Sequence, residues 1–290
     1  MNLKEVRHRI LSVKSTQKIT SAMKLVSSAK LRRTQSAVES MRPYRYKLDG
    51  MLDKLLCSGG HDTCNEYTAL REPKRVVLVA VSSDTGLCGS FNSNISRLME
   101  TAVNEYRSQG AGLTVYSVGK KMHDSVKRLG IEPCDTLLRQ AGSPRYNEVA
   151  AVAYELIEQF RCGSIDKVEL IYTRFDSMSR QIPVREQFLP VVSRNNDYAD
   201  VGTSCDGIIL EPGRDELLAA LLPRTIALHL FTSLLNSAVS EHASRMIAMQ
   251  LATDNADELI ADLTLEYNKG RQQAITSEIL DIVAGSAHEG

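Results

Sequence analysis

Apolar residues recur at spacings of three and four at both ends of the chain, the pattern of a helix with one apolar stripe. Near the N-terminus the stripe comprises Leu3, Val6, Ile10, Val13, Gln17, Thr20, Met23 and Val26. Near the C-terminus it comprises Leu228, Phe231, Leu235, Ala238, His242, Met246, Met249, Thr253, Ala256, Ile260, Leu263 and Tyr267. Both stripes are narrow and tolerate polar residues, as coiled-coil seams do. The pattern predicts a long amphipathic helix at each end.

The distribution of helix breakers supports these two helices. All eight prolines lie between Pro43 and Pro223, and neither Pro nor Gly occurs within 1–42 or 224–269. At about 1.5 Å per residue, each helix would be on the order of 60 to 80 Å long. An α/β domain of this size is about 35 Å across and would cover only half of either stripe. Two helices packed separately on the middle of the chain are therefore disfavoured. We expect the two ends to pair with each other, antiparallel, and to project from the middle domain.

The middle of the chain alternates short apolar runs with amphipathic stretches. Strands are predicted at 76–81, 113–118, 167–173 and 184–192, and helices from the turn at 82–89 to about 107, at 120–129 and at 147–161. This alternation predicts a mostly parallel sheet covered by helices, a Rossmann-like α/β domain. The predicted fold class is α/β, with this domain inserted between the halves of a long antiparallel coiled coil. The predicted ranges are 1–60 for the first helix, 70–205 for the α/β domain and 208–290 for the last helix.

The formal net charge is zero, with 35 Lys and Arg against 35 Asp and Glu, but it is unevenly distributed. Residues 1–50 hold twelve basic groups against three acidic ones, and residues 206–290 hold five against thirteen. The two helices predicted to pair therefore carry net charges of +9 and −8. Opposite charges favour their pairing, although each exposed ion pair contributes only about 0.2 to 1 kcal/mol.

Composition and targeting signals exclude several classes of protein. The apolar fraction of 43% is enough for a core, and no run reaches the roughly 18 apolar residues of a membrane span. We expect no secretory signal, because the N-terminus lacks an apolar core segment. Six scattered cysteines in a chain of this size suit reduced thiols better than a disulfide framework.

Candidate chemical sites are weak. The turn at 84–92 follows a strand and precedes a helix, where a phosphate loop would lie, but it has only G-x-x-G spacing. A nucleotide-binding enzyme stays open as an alternative, and a tight structural turn is favoured. Cys57, His61 and Cys64 lack a fourth ligand at zinc spacing. Cys88 would need His123 as a base to act as a nucleophile, and a small buried residue is the preferred interpretation. No catalytic residue, cofactor site or metal site is predicted.

The basic N-terminal helix raises the question of an acidic partner. Nucleic acid is disfavoured, because the first 43 residues have no aromatic side chain to stack on bases and the charges surround the helix. An acidic protein partner stays open.

Five segments resemble one family in order along almost the whole chain. They are 19–33 (ITSAMKLVSSAKLRR), 83–92 (SDTGLCGSFN), 240–249 (SEHASRMIAM), 252–256 (ATDNA) and 267–278 (YNKGRQQAITSE). Together they resemble the gamma subunit of F-type ATP synthase. The family's terminal signature appears as Ile275, Thr276, Glu278, Asp281 and Gly285, with Ser286 where Ala is usual.

The resemblance implies a non-catalytic rotor shaft. In the family the coiled coil stands inside the ring of three alpha and three beta subunits, the α/β domain packs against epsilon, and the lower end rests on the membrane c-ring. Proton flow turns the shaft, which drives each beta subunit through ATP synthesis. The implied location is the cytoplasmic face of a bacterial inner membrane, reached only through the c-ring, since no transit peptide and no chloroplast-type cysteine pair is present.

The resemblance also assigns contact residues. Met23 matches the position that faces the acidic loop of beta, with the neighbouring charges Lys24, Lys30, Arg32 and Arg33. Positions tied to helix pairing, beta loops and coupling are Arg245, Arg271, Gln272, Thr276 and Glu278. Ile279, Ile282 and Val283 would sit in an apolar bearing. Glu211 is expected to touch the c-ring, although Ile208, Ile209 and Leu210 stand where tyrosines are common.

Overall fold

The computed structural model describes residues 3–57, 67, 71–191, 211 and 213–288. Two long helices dominate it: α1 spans Leu3–Cys57 and α5 spans Arg214–His288. Both run through a proline, Pro43 in α1 and Pro223 in α5. A proline inside a helix removes one backbone hydrogen bond and crowds the preceding turn. Residues that follow each proline, such as Leu48 and Ile226, are buried in a core, and this packing keeps the helices continuous.

The chain divides into two compact units. The first comprises Met1–Ser28 with Arg245–Gly290, and the second comprises Ala29–Ser244. Each long helix therefore contributes residues to both units. The predicted domain ranges, 1–60, 70–205 and 208–290, stay a prediction.

The second unit is built on a four-stranded sheet. Its strands are β1 (Arg75–Val81), β2 (Gly112–Val118), β3 (Lys167–Ser177) and β4 (Arg180–Leu189), in the order β2-β1-β3-β4. β1 is parallel to β2 and β3, whereas β4 returns antiparallel to β3. This confirms the predicted α/β fold with a mostly parallel sheet. The remaining helices are α2 (Phe91–Ser108), α3 (Lys120–Arg128), a 3-10 turn (Leu138–Gln140) and α4 (Tyr146–Arg161).

The two faces of the sheet have separate cores. Alternate residues of β1 point to opposite faces, so Leu78 joins the core beneath α2 and α3, and Val79 joins the core on the other side. This second core also contains Leu156 of α4, Leu52 of α1 and Leu230 of α5. Burial on both faces explains why β1 consists almost entirely of Val, Leu and Ala.

The apolar part of α5 differs from the sequence expectation. By length and composition α5 does contain one stretch that could cross a membrane, an 18-residue window with mean hydropathy 1.5. However, 56% of that window is buried inside the protein. Leu222, Leu230 and Leu234 are each at most 1% exposed in the core of the second unit. Packing against the domain therefore accounts for the apolar composition of this stretch.

Candidate functional site

The first unit is a pair of antiparallel helices formed by the two ends of the chain. The Thr20 hydroxyl lies 2.8 Å from the Thr253 hydroxyl, and the Gln17 amide donates a hydrogen bond to the Asp257 carboxylate. Because the lower-numbered residue of α1 meets the higher-numbered residue of α5, the two helices run in opposite directions. This confirms the predicted pairing of the chain ends.

The seam between these helices is mostly, but not entirely, the predicted one. Val6, Met249, Ala256 and Leu263 are buried as expected. The predicted place of Val26 in the seam is wrong, because Val26 is 56% exposed. Ser27 is buried instead, with 4% of its surface exposed. Ser27 follows Thr20 by seven residues, so it keeps the heptad phase, whereas two successive steps of three rotate Val26 out of the seam.

The last turns of α5 extend beyond this pairing. Residue numbers that face each other add up to about 273, so α1, which begins at Leu3, reaches only to about residue 270 of α5. Beyond that point the described side chains are largely exposed, including Ile275 at 48% and Ile279 at 55%. The sequence-predicted residues in this segment are also exposed: Arg271, Gln272, Thr276 and Glu278. Ile282 and Val283 have side chains outside the described residues.

The basic residues predicted from the first helix lie along α1. Lys30, Arg32 and Arg33 are exposed, whereas Met23 and Lys24 are half-buried. Exposed side chains of this kind are available to a partner, and their shared positive charge would attract an acidic surface.

The two other predicted contact residues, Arg245 and Glu211, lie far along the chain from the basic residues of α1. Arg245 is buried in α5, with 8% of its surface exposed, which suits helix packing better than an open contact surface. Glu211 is exposed just before α5 begins. Ile208, Ile209 and Leu210 lie outside the described residues.

Exposed apolar side chains form a set that the sequence stripes missed. In the first unit, Leu11, Ile19 and Leu25 of α1 are 57–68% exposed, and Leu251, Leu259 and Leu265 of α5 are 47–71% exposed. In the sequence, these residues could have been recognised as apolar positions that do not fall on the predicted seams.

Side chains of the turn between β1 and α2 bond to one another. The Asn92 carboxamide oxygen accepts hydrogen bonds from the Ser83 backbone N–H (3.2 Å) and the Ser83 hydroxyl (2.9 Å), and its amide group donates to Cys88 Sγ (3.2 Å). Leu87 has a positive φ of 62° while its side chain is 62% exposed. The backbone N–H groups of Lys120 and Lys121 at the start of α3 also donate to Asp84 and Ser83 in this turn. These bonds fit a structural turn rather than a phosphate cradle.

No hydrogen bond joins Cys88 and His123, the weak candidate pair for nucleophilic chemistry. Cys88 is 1% exposed, within the Ser83 and Asn92 network, which suits the preferred interpretation of a small buried residue. The Nδ1 atom of His123 instead lies 2.8 Å from the Asp135 carboxylate.

The candidate metal ligands fall mainly where the structure is not described. His61 and Cys64 lie outside the described residues, as does the side chain of Cys57. Within the described part of the chain, no group of three His, Cys, Asp or Glu side chains could hold a metal ion.

Comparison with known proteins connects this architecture to one family. A family model described as ATP synthase matches residues 2–287. An ATP synthase gamma chain from Bacteroides thetaiotaomicron is 47% identical over 98% of this chain and 99% of its own length. The ATP synthase gamma chain of Flavobacterium psychrophilum is 40% identical over 98% of both chains.

The chain belongs to the ATP synthase gamma chain family. Family membership makes it a non-catalytic subunit of ATP synthase, which fits the lack of catalytic motifs in its sequence. Solved structures agree with the gamma-chain fold. A chain of the Tetrahymena thermophila mitochondrial ATP synthase central stalk and c-ring matches with a TM-score of 0.57 and 27% identity, over 81% of this chain and 99% of its own. A Euglena gracilis mitochondrial ATP synthase chain shares the fold, with a TM-score of 0.64 and 21% identity over 98% of this chain and 93% of its own.

Proposed function

We propose that this gamma-family chain is the central rotor shaft of an ATP synthase. Its paired terminal helices would stand within the ring of alpha and beta subunits, its α/β domain would pack against epsilon, and its lower end would rest on the c-ring. Whole-chain similarity to ATP synthase gamma chains carries this proposal. The relative of known structure belongs to a central stalk and c-ring assembly.

The helix pair has the properties that a shaft of this kind requires. A shaft changes the affinity of its surrounding subunits only if it contacts each of them differently. Two helices of unlike sequence provide such an asymmetric surface. In this chain one helix carries a net charge of +9 in its first 50 residues, and the segment ending in the other carries −8. Rotation would therefore present each beta subunit with changing charge and apolar area.

The contact residues extend the proposal to individual side chains. Met23, with the basic group of Lys24, Lys30, Arg32 and Arg33, would face the acidic loop of beta. The exposed end of α5 would contribute Arg271, Gln272, Thr276 and Glu278 to coupling, and Arg245 would hold the helix pair together. Glu211 would touch the c-ring. The protein would act at the cytoplasmic face of a bacterial inner membrane, without itself entering the bilayer and without a cofactor.

Reconstitution tests the proposal. ATP synthase assembled in vesicles with and without this chain would be compared for ATP synthesis driven by a proton gradient. We expect synthesis to require the chain, and the isolated chain to hydrolyse no ATP. Proton-driven synthesis at the same rate in its absence would contradict the proposal.

A further inference from the structure

In the first unit, a partly buried polar contact between the two terminal helices joins a pair of threonines. Thr20 is 9% exposed, and its hydroxyl lies 2.8 Å from that of Thr253. On α5, apolar residues occupy the seam on either side of Thr253, namely Met249 and Ala256. Two hydroxyls therefore occupy a position where valine, which has almost the same shape, would bury more apolar surface.

The two threonine hydroxyls make three hydrogen-bond contacts but supply only two protons. Thr20 Oγ1 also lies 3.0 Å from the Gln17 carbonyl oxygen, and Thr253 Oγ1 lies 2.8 Å from the Met249 carbonyl oxygen. Two protons serve these two contacts and the contact between the hydroxyls. One hydroxyl can donate to its own helix while the other donates across the seam. The bond between helices thus forms without leaving either hydroxyl unsatisfied.

A second polar contact lies beside the threonine pair, at the exposed edge of the seam. Gln17 precedes Thr20 by three residues, and its amide donates to Asp257, four residues after Thr253. Both contacts specify the same alignment. Sliding one helix by a heptad, about 10 Å, would separate both pairs and place each threonine opposite other seam residues.

Polar residues in a coiled-coil seam commonly fix the register at a cost in stability. An apolar seam of similar small and medium residues distinguishes poorly between alignments one heptad apart, because each alignment buries comparable area. We infer that Thr20 and Thr253, supported by Gln17 and Asp257, are positioning residues that hold the paired segments of the first unit, 3–28 of α1 and 245–270 of α5, in a single axial register. This positioning role belongs to the isolated chain, independently of any assembly that contains it.

Disulfide trapping measures the register directly. Val13 and Ile260 lie one heptad from Thr20 and Thr253 in opposite chain directions, so the native register places them opposite each other. Cysteines at Val13 and Ile260 report that register. Cysteines at Val13 and Tyr267 report a shift of one heptad, because without sliding they lie too far apart to bridge. In the full chain under mild oxidation, mass spectrometry of the peptides would identify each disulfide beside the native cysteines.

The test compares these crosslinks in three backgrounds. With both threonines present we expect the native crosslink, and the shifted one at less than about a tenth of its yield. In Thr20→Val with Thr253→Val we expect the shifted crosslink to rise at least fivefold, with an unchanged or higher thermal midpoint. The matched control is Thr16→Val with Thr264→Val, since these exposed threonines donate to carbonyls of their own helices. We expect no rise there.

Three results would overturn the inference. They are absence of the native crosslink in the parent chain, a shifted crosslink that stays at background in the double valine variant, and an equal rise in the control. If the double variant does not fold, Thr253→Val alone removes the contact between the helices at the less buried residue, and the same criteria apply to it. Thr20→Ser with Thr253→Ser, which keeps both hydroxyls, should retain the native register.

Discussion

At Gly119, between β2 and α3, the nearby backbone leaves no room for a side chain. Gly119 has a positive φ of 88°, and a Cβ atom there would lie 2.6 Å from the Ser82 carbonyl oxygen. Gly119→Ala should therefore lower the free energy of unfolding by at least about 2 kcal/mol, because it combines backbone strain with a clash against another chain segment. Urea unfolding measures this.

Gly130 provides the matched control for that substitution. Its φ of +73° is similar, but nothing lies within 4 Å of the Cβ position. Gly130→Ala should cost only about 1 kcal/mol, from the backbone conformation alone. Equal losses in the two variants would show that the contact with Ser82 does not matter.

Glu169 on β3 is a buried acid held between two cations. Burial alone raises the pKa of its carboxyl, but hydrogen bonds from Arg185, Lys167 and Tyr106 outweigh it and hold the pKa below its usual value. A lowered pKa stabilises the folded state above the unfolded-state pKa of about 4.3, and this stabilisation is lost as the pH falls through the folded-state pKa.

Glu169→Gln should accordingly change both stability and its pH dependence. We expect a loss of about 2 kcal/mol at pH 7, because Arg185 and Lys167 lose their shared partner while both stay partly hydrated. The fall in stability between about pH 5 and pH 3 should be shallower than in the parent chain. Glu105→Gln is the control: this exposed carboxylate pairs with the same Arg185, and its loss should cost less than about 1 kcal/mol. A variant with the parent's pH profile would argue against a lowered pKa at Glu169.

At the scale of the elements, the helix pair of the first unit depends on few large apolar side chains. Leu263 is 6% exposed in its seam, whereas Leu265, two residues later in α5, is 71% exposed. Leu263→Ala should weaken the pairing by about 2 kcal/mol or more, and Leu265→Ala should have little effect. Hydrogen exchange resolved by peptide would show faster exchange in 3–28 and 245–270 for Leu263→Ala, with the sheet strands unchanged. Equal exchange in the two variants would contradict the assigned seam.

Element types and spacing were largely predictable because they depend on local pattern. Each predicted strand overlaps an observed one, and the helices at 120–129 and 147–161 are confirmed within one residue at each end. Both α1 and the predicted first helix, 1–60, run past Pro43. Local propensity does not supply the reason, which is that burial of Leu48 and Leu52 in the domain core offsets the cost of the proline.

At the scale of the whole molecule, the proposed shaft makes Met23 a test of coupling rather than of folding. Met23 is half-buried on α1, so Met23→Lys adds a charge without emptying a core position. We expect assembly of the complex to be nearly unchanged while ATP formed per proton transported falls several-fold. Reconstituted vesicles with matched subunit content provide the measurement. Ala22→Lys places the same charge on an exposed neighbour and should affect coupling less. Parent-like coupling in Met23→Lys would remove Met23 from the proposed contact.

The sequence by itself determined the two amphipathic ends, the α/β middle and the family, because periodicity, breakers and motifs are all local properties of the chain. The tertiary structure decided what these patterns do not contain. It put Ser27 rather than Val26 in the seam and placed Thr20 against Thr253. It also buried the most apolar part of α5 against a sheet. Which residues meet across more than two hundred positions depends on packing that no local pattern records.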